Sequence, residues 1–195
     1  MDETISEKRP NGFWEFARAV IISIVIVIPV RMYIAQPFIV DGASMEPNFA
    51  GGDYLIIDEL TYQFREPRRG DVIVFRYPLN RSQFFIKRIV GLPEETVEII
   101  DSMVNILRSD GSVTKIYEPY LADNTKTIPN LQMKLGKEEY FVLGDNRTHS
   151  SDSRVWGVLP KGNITGRAFV RLFPPSSIDY LLNNKTLFFV TQMAQ

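Results

Sequence analysis

Hydrophobic and polar positions follow two rhythms along this chain. Between Arg18 and Arg31 the run AVIISIVIVIPV carries no charge, and Phe13, Trp14, Phe16, Met32, Tyr33 and Ile34 extend it on both sides. A membrane-spanning helix needs about 20 apolar residues, a length reached here only if the arginine stems lie along hydrocarbon with their heads at the interface. Trp14 and Tyr33 stand where interfacial aromatics belong. The pattern predicts a single transmembrane anchor over residues 13–34. A buried core helix and a cleaved leader compete with it, but no small-x-small cleavage site followed by a polar mature start lies downstream. Lys8, Arg9 and Arg18 precede or open the segment, whereas Arg31 is followed by no basic residue until Arg65. That bias places residues 1–12 in the cytoplasm and the chain past the anchor outside it.

Beyond the anchor the rhythm shortens. Runs such as DYLIID, GDVIVFRY, FFIKRIVGL, TVEII, MVNILR, YFVLGD and ITGRAFVRLF are rich in β-branched and aromatic residues and are bounded by Gly, Pro, Asn or Asp. Several alternate apolar and polar positions, which predicts antiparallel sheets with one face in a core and a mainly β ectodomain. Residues 101–139 are more polar and turn-rich, with SDGS, ADNTKT and PN. They read as a small β subdomain inserted into a catalytic β domain formed by residues 35–100 and 140–178, followed by a tail over residues 179–195.

Composition narrows the function classes. The 195 residues are 45% hydrophobic and 23% charged with a formal net charge of −1, so no global field favours nucleic acid. There is no cysteine, which removes disulfides, thiolate metal sites and thiol nucleophiles together. Any covalent chemistry falls to other side chains.

One candidate lies just past the anchor, where DGASMEP presents Ser44 in a loop of small residues. Gly42 and Ala43 would let a substrate backbone approach, and the Ser44 N–H could face a developing oxyanion. An ordinary turn serine fits equally well, because a hydroxyl needs a base to become a nucleophile. His149, the one histidine, sits in the polar turn GDNRTHSSDSR and could form a triad with Ser44 and Asp145. Lys87 offers another base: in FFIKRIVGL, strand alternation sets it with Phe85 and Ile89 on one face. Burial there would lower a lysine pKa by up to several units, although a strand-edge lysine with its head in water is the alternative.

Four segments in order shift the balance among these: FIVDGASMEP, YQFREPRRGDVIVFRYP, FIKRIVGLPEETVEI and VLGDNRTHSSDSRVWGVLP. Together they resemble the sequence boxes of type I signal peptidases. The resemblance implies an anchored, mainly β endopeptidase at the cell membrane that removes signal peptides from secreted or membrane preproteins after a small-x-small motif. It needs no cofactor, metal or nucleic acid, and its partners are the preprotein signal peptide and membrane lipid. By the same resemblance Ser44 is the nucleophile and Lys87 the general base. Ser150 orients the lysine amine by a hydrogen bond, Asp145 pairs with Arg88, and Asp152 with Arg154 supports the same corner. Phe38, Val40 and Ile86 flank the two catalytic positions and are candidate walls of the substrate pockets.

The match has departures. Gly42 stands where some members place a serine that donates to the oxyanion, Asn48-Phe49 replaces a frequent Thr-Leu, and Glu94-Glu95 replaces a frequent Gly-Asp. Glu in place of Gly requires a negative φ or incurs strain. Two rival classes remain: an inactive tethered binding module, against which Ser44, Lys87 and Ser150 argue, and a self-cleaving repressor, for which no helix-turn-helix is apparent.

Overall fold

The computed structural model describes residues 12–29, 35–108, 110–175, 178–181 and 190–192. Its first element is helix α1, Gly12–Pro29. At 1.5 Å per residue it is about 27 Å long, and apolar side chains such as Trp14, Ile21 and Val25 are exposed along it. Among the described residues no helix is long and apolar enough to cross a membrane. The expected anchor continues through residues 30–34, which lie outside the described residues, as do residues 1–11 of the expected cytoplasmic segment.

The remainder is mainly β and antiparallel, as the alternation predicts. One sheet contains β1 (Ala35–Ile39), β2 (Tyr54–Asp58), β3 (Val72–Tyr77), β4 (Asn80–Gly91), β9 (Glu139–Leu143), β10 (Leu159–Pro160), β11 (Ile164–Phe173) and β12 (Asp179–Tyr180). Its order is β1-β2-β11-β3-β4-β9-β10, with β12 beside β11. The second sheet, ordered β13-β7-β6-β5-β8, uses β5 (Thr96–Ile100), β6 (Met103–Leu107), β7 (Val113–Ile116), β8 (Leu131–Lys134) and β13 (Val190–Gln192). Residues 182–189 and 193–195 of the expected tail lie outside the described residues.

Burial follows the sequence pattern strand by strand. In β2, YLIID buries Leu55 and Ile57, and in β7, VTKI buries Thr114 and Ile116, leaving the alternate positions more open. Strand β4 changes character along its length: its first half is exposed, whereas Lys87 to Gly91 is buried between β3 and β9. Val90, Phe141 and Leu143 of the first sheet share a core cluster with Val97, Ile99, Val104 and Ile106 of the second. The two sheets therefore brace each other across β4 and β9, the strands that lead into the site.

The turn from β4 to β5 carries one of the departures. Glu95 N donates to the Leu92 carbonyl at 3.2 Å, closing a turn with Pro93 and Glu94 at its centre. Glu94 has φ +67°, the left-handed conformation that this turn type reserves for glycine. The Glu95 carboxylate accepts from Leu92 N at 2.8 Å and from Arg69 Nη2 at 2.5 Å, so the surrounding contacts hold the turn against that strain.

A left-handed non-glycine residue costs about 1–2 kcal/mol, partly offset by the greater unfolded-chain freedom of glycine. Glu94→Gly is expected to raise the thermal midpoint by about 1–3 °C, measured by circular dichroism; an unchanged or lower midpoint would refute the strain.

Candidate active site

The loop after β1 is held by apolar side chains flanking its serine. Met45 and Phe49 are buried against Val40, Leu55, Ile57, Val72, Val74 and Ala168, and burying a side chain like Met45 is worth about 1.5–3 kcal/mol. Backbone bonds close the loop at both ends, Val40 N to the Asp53 carbonyl and Gly52 N to the Val40 carbonyl, each 2.9 Å. With Met45 pointing inward, Ser44 is left partly exposed on the outer side. Gly42, at φ +84° with open space where a side chain would be, makes the bend before it. The Ser44 carbonyl accepts from Asn146 N at 3.0 Å, which fastens this loop to the GDNR turn.

Lys87 reaches the same point from β4. Its Nζ donates to Ser44 Oγ at 2.7 Å and to the Ile86 carbonyl at 2.8 Å, and lies 5.4 Å from the Phe85 ring centre. The residue is 4% exposed. Burial disfavours the ammonium and pulls the Lys87 pKa down to about 8, while the charges of Asp152 and then Asp145 act in the opposite direction.

Those two carboxylates are themselves paired. Asp145 accepts from Arg88 Nε at 2.8 Å and Nη2 at 2.6 Å, a two-point ion pair almost wholly out of water. Asn48 Nδ2 donates to Asp145 Oδ2 at 2.9 Å and to the Tyr120 carbonyl at 2.8 Å, and the Arg88 guanidinium sits 4.1 Å from the Tyr120 ring centre. Asp152 accepts from Arg154 Nε and Nη2, each 2.8 Å, and from Gly144 N at 3.0 Å. At Gly144 an added Cβ would fall on Ser150 Oγ and the Ser44 carbonyl, so this corner closes only around glycine.

The fold thus brings Ser44, Lys87, Asp145, Arg88, Asp152, Arg154 and Ser150 into one corner. The hydrogen bond that the resemblance implies from Ser150 to the lysine is not made here: Lys87 uses Ser44 and Ile86, and Ser150 Oγ is buried without a hydrogen-bond partner among the described residues. His149 is exposed, its Nδ1 meeting Thr148 Oγ1 at 3.0 Å and Asn146 Oδ1 at 3.3 Å, and Asp145 is taken by Arg88, so no triad with Ser44 forms. Phe38, Val40 and Ile86 line a cleft of about 290 Å³ that also contains Ser44, Lys87, Leu55 and Val74.

Sequence reasoning missed the outer part of this network. Arg147 is buried and holds Glu118, and Tyr120 covers Arg88 from the polar 101–139 segment. Asn48 entered only as a departure from a resemblance, yet it ties the serine loop to the Asp145–Arg88 pair. Of the stretch EPYLADNT only Glu118 and Tyr120 are drawn into the network, while Pro119, Ala122, Asp123 and Asn124 are exposed, so no local pattern marked the pairing.

A family model described as "Signal peptidase, peptidase S26" matches residues 13–173. A probable signal peptidase I-1 from Synechocystis is 34% identical over 84% of this chain and 86% of its own length. Signal peptidase I of Bacillus amyloliquefaciens is 32% identical over 86% of this chain and 89% of its own. A solved signal peptidase I from Enterococcus faecalis, 30% identical, superposes with a TM-score of 0.45, covering 53% of this chain and 97% of that one.

The Asp145–Arg88 pair yields a stability prediction. Asp145→Asn keeps the shape but leaves a guanidinium buried without its counter-charge, and breaking such a pair costs about 3–5 kcal/mol. Urea unfolding of the variant should show a midpoint lowered accordingly with an unchanged slope; a wild-type midpoint would mean that the pair contributes nothing.

Proposed function

The chain belongs to the signal peptidase family of serine endopeptidases, and from that premise we propose that it removes N-terminal signal peptides from secreted or membrane preproteins, cutting after a small-x-small motif. The observation carrying this reading is the 2.7 Å contact between Lys87 Nζ and Ser44 Oγ at the floor of an apolar cleft.

In this scheme the neutral Lys87 amine takes the Ser44 proton as Oγ attacks the scissile carbonyl. It returns that proton to the leaving amine as the C–N bond breaks, leaving an acyl-enzyme. In this scheme the Ser44 N–H is the oxyanion donor, and the open space beside Gly42 leaves room for the substrate backbone. A water then gives its proton to Lys87 and attacks the ester, and Lys87 returns that proton to Ser44 Oγ as the ester bond breaks. Acylation removes the hydroxyl that Lys87 now contacts, and in this scheme Ser150 Oγ, buried without a hydrogen-bond partner among the described residues, orients the amine for that second step. Arg88 and Arg154 pair with Asp145 and Asp152, and the pull of these carboxylates toward a charged Lys87 is outweighed by its burial. No metal or organic cofactor enters the scheme.

The signal peptide binds as an extended strand with its small side chains toward Phe38, Val40 and Ile86, over Leu55 and Val74. Residues 13–34 serve as a single-pass anchor, with residues 1–12 in the cytoplasm and the β domain of residues 35–100 and 140–178 on the far side. Residues 101–139 form the subdomain that supplies Tyr120 and Glu118 to the corner, and residues 179–195 the tail. Tethering to the membrane on which the signal helix lies raises the effective substrate concentration without new contacts.

Cleavage of a preprotein in detergent micelles tests the scheme. Ser44→Ala and Lys87→Ala are expected to lower the rate by at least about 1,000-fold, with the fold intact by circular dichroism, while His149→Ala keeps most activity. Loss through His149 with retention in Lys87→Ala would overturn it.

The lysine also sets the pH dependence. The protonated amine cannot accept the Ser44 proton, so kcat/KM should rise with pH through a single limb centred at about 8 and level off above it. A limb near 6.5, the ordinary histidine value, would point to a different base.

A further inference from the structure

The cleft that contains Ser44 and Lys87 is apolar where Val40, Leu55 and Val74 line it, and these three are buried. A carboxylate lines the same cleft: Asp41, in the loop of the nucleophile and ahead of Gly42 and Ala43. Burial alternates through the end of β1 and into this loop. Phe38 and Val40 pack against the core around Met45, whereas Ile39 and Asp41 are exposed. The Asp41 side chain therefore belongs to the rim of the cleft and not to its floor.

The fold has other uses for its aspartates. Asp53, Asp58 and Asp71 each accept a hydrogen bond from a backbone N–H close by in sequence, that of Ala50, Thr61 or Arg68. Asp145 and Asp152 are held by Arg88 and Arg154. Asp41 has neither a hydrogen bond nor an ion pair among the described residues. It is not engaged by Lys87 either, since the charges that act on that amine are those of Asp152 and Asp145. An unpaired carboxylate at the edge of an apolar cleft keeps its field for whatever enters, because low-dielectric walls leave less water to screen it.

Resting on the peptidase reading, we propose that Asp41 selects the charge of the middle residue of the small-x-small motif, favouring lysine or arginine there and opposing aspartate or glutamate. In an extended substrate the two small side chains point to one face and the middle one to the other. With the small pair directed at the floor of the cleft, the middle side chain runs along the rim, where Asp41 stands. The apolar floor sets the size of the outer two positions, and a single rim charge sets the preference at the position between them.

The test uses preprotein-derived peptides that differ only at that middle position, carrying lysine, alanine or glutamate, at a pH above the Lys87 limb. For the wild type the lysine peptide should exceed the glutamate peptide in kcat/KM by about fivefold at low ionic strength, a preference that fades at about 1 M salt. Asp41→Asn should abolish the preference and Asp41→Lys should invert it. Glu46→Gln, which removes an exposed carboxylate just after the serine that does not line the cleft, should keep it. The salt series uses the unaltered protein, so it stands even where a substitution disturbs the loop. Equal wild-type rates on the lysine and glutamate peptides at low salt overturn the proposal. So does a preference that persists in Asp41→Asn, or one that falls equally in Glu46→Gln, which would assign it to the general field of the loop. Failure of the wild type to cleave even the alanine peptide removes the peptidase reading itself, whereas cleavage of all three without discrimination leaves that reading standing and removes only the role of Asp41.

Discussion

Water is withheld from the Lys87 ammonium, and the rest of the site is arranged around that constraint. Two carboxylates, Asp152 and Asp145, are close enough to favour the charged lysine, yet burial outweighs them. Each carboxylate faces its own guanidinium, Arg88 or Arg154, over short two-point contacts. A buried ion pair contributes little net stability compared with a well-packed apolar group. The two pairs are better understood as a rigid polar frame whose charges cancel locally, so that the amine beside them keeps a lowered proton affinity.

The frame is built by long-range closure. Strand β4 is fixed between β3 and β9, and its buried half carries Lys87 and Arg88 together. Adjacent residues on a strand point to opposite faces, so one sequence step separates the amine that meets Ser44 from the guanidinium that meets Asp145. The serine loop is pinned by Met45 and Phe49 beneath it, by the Asn146 N–H at the Ser44 carbonyl, and by Asn48 at Asp145. Three independent anchors thus converge on one hydroxyl, the kind of support a reacting group needs if its geometry is to persist.

The 101–139 segment has a larger part than its polar composition indicates. Glu118 holds Arg147, Tyr120 covers Arg88, and Ile128 borders the cavity next to Ser150. Since Arg147 Nε also donates to the Gly144 carbonyl at 3.1 Å, the segment is connected through one arginine to the glycine on which Ser150 and Ser44 converge. On the proposed scheme, the same segment therefore stiffens the catalytic corner.

The amino-acid sequence by itself determined the mainly β architecture, because a period of two in apolar residues is a local property that survives without knowledge of partners. It also marked the family, through four ordered segments, and singled out Ser44 and Lys87 as a serine in a small-residue loop and a lysine on an apolar strand. It did not show that Glu94 takes a left-handed conformation, since that is imposed by Arg69, Gly136 and the closing turn rather than by the residue's own preference. Nor did it show that Asn48 bonds to Asp145, 97 positions away, or that Lys87 meets Ser44 across 43. Those pairings, the cavity next to Ser150 and the balance of charge around the amine were decided only by the tertiary structure. They depend on which buried polar groups find one another once the sheets close, and no local pattern records that choice.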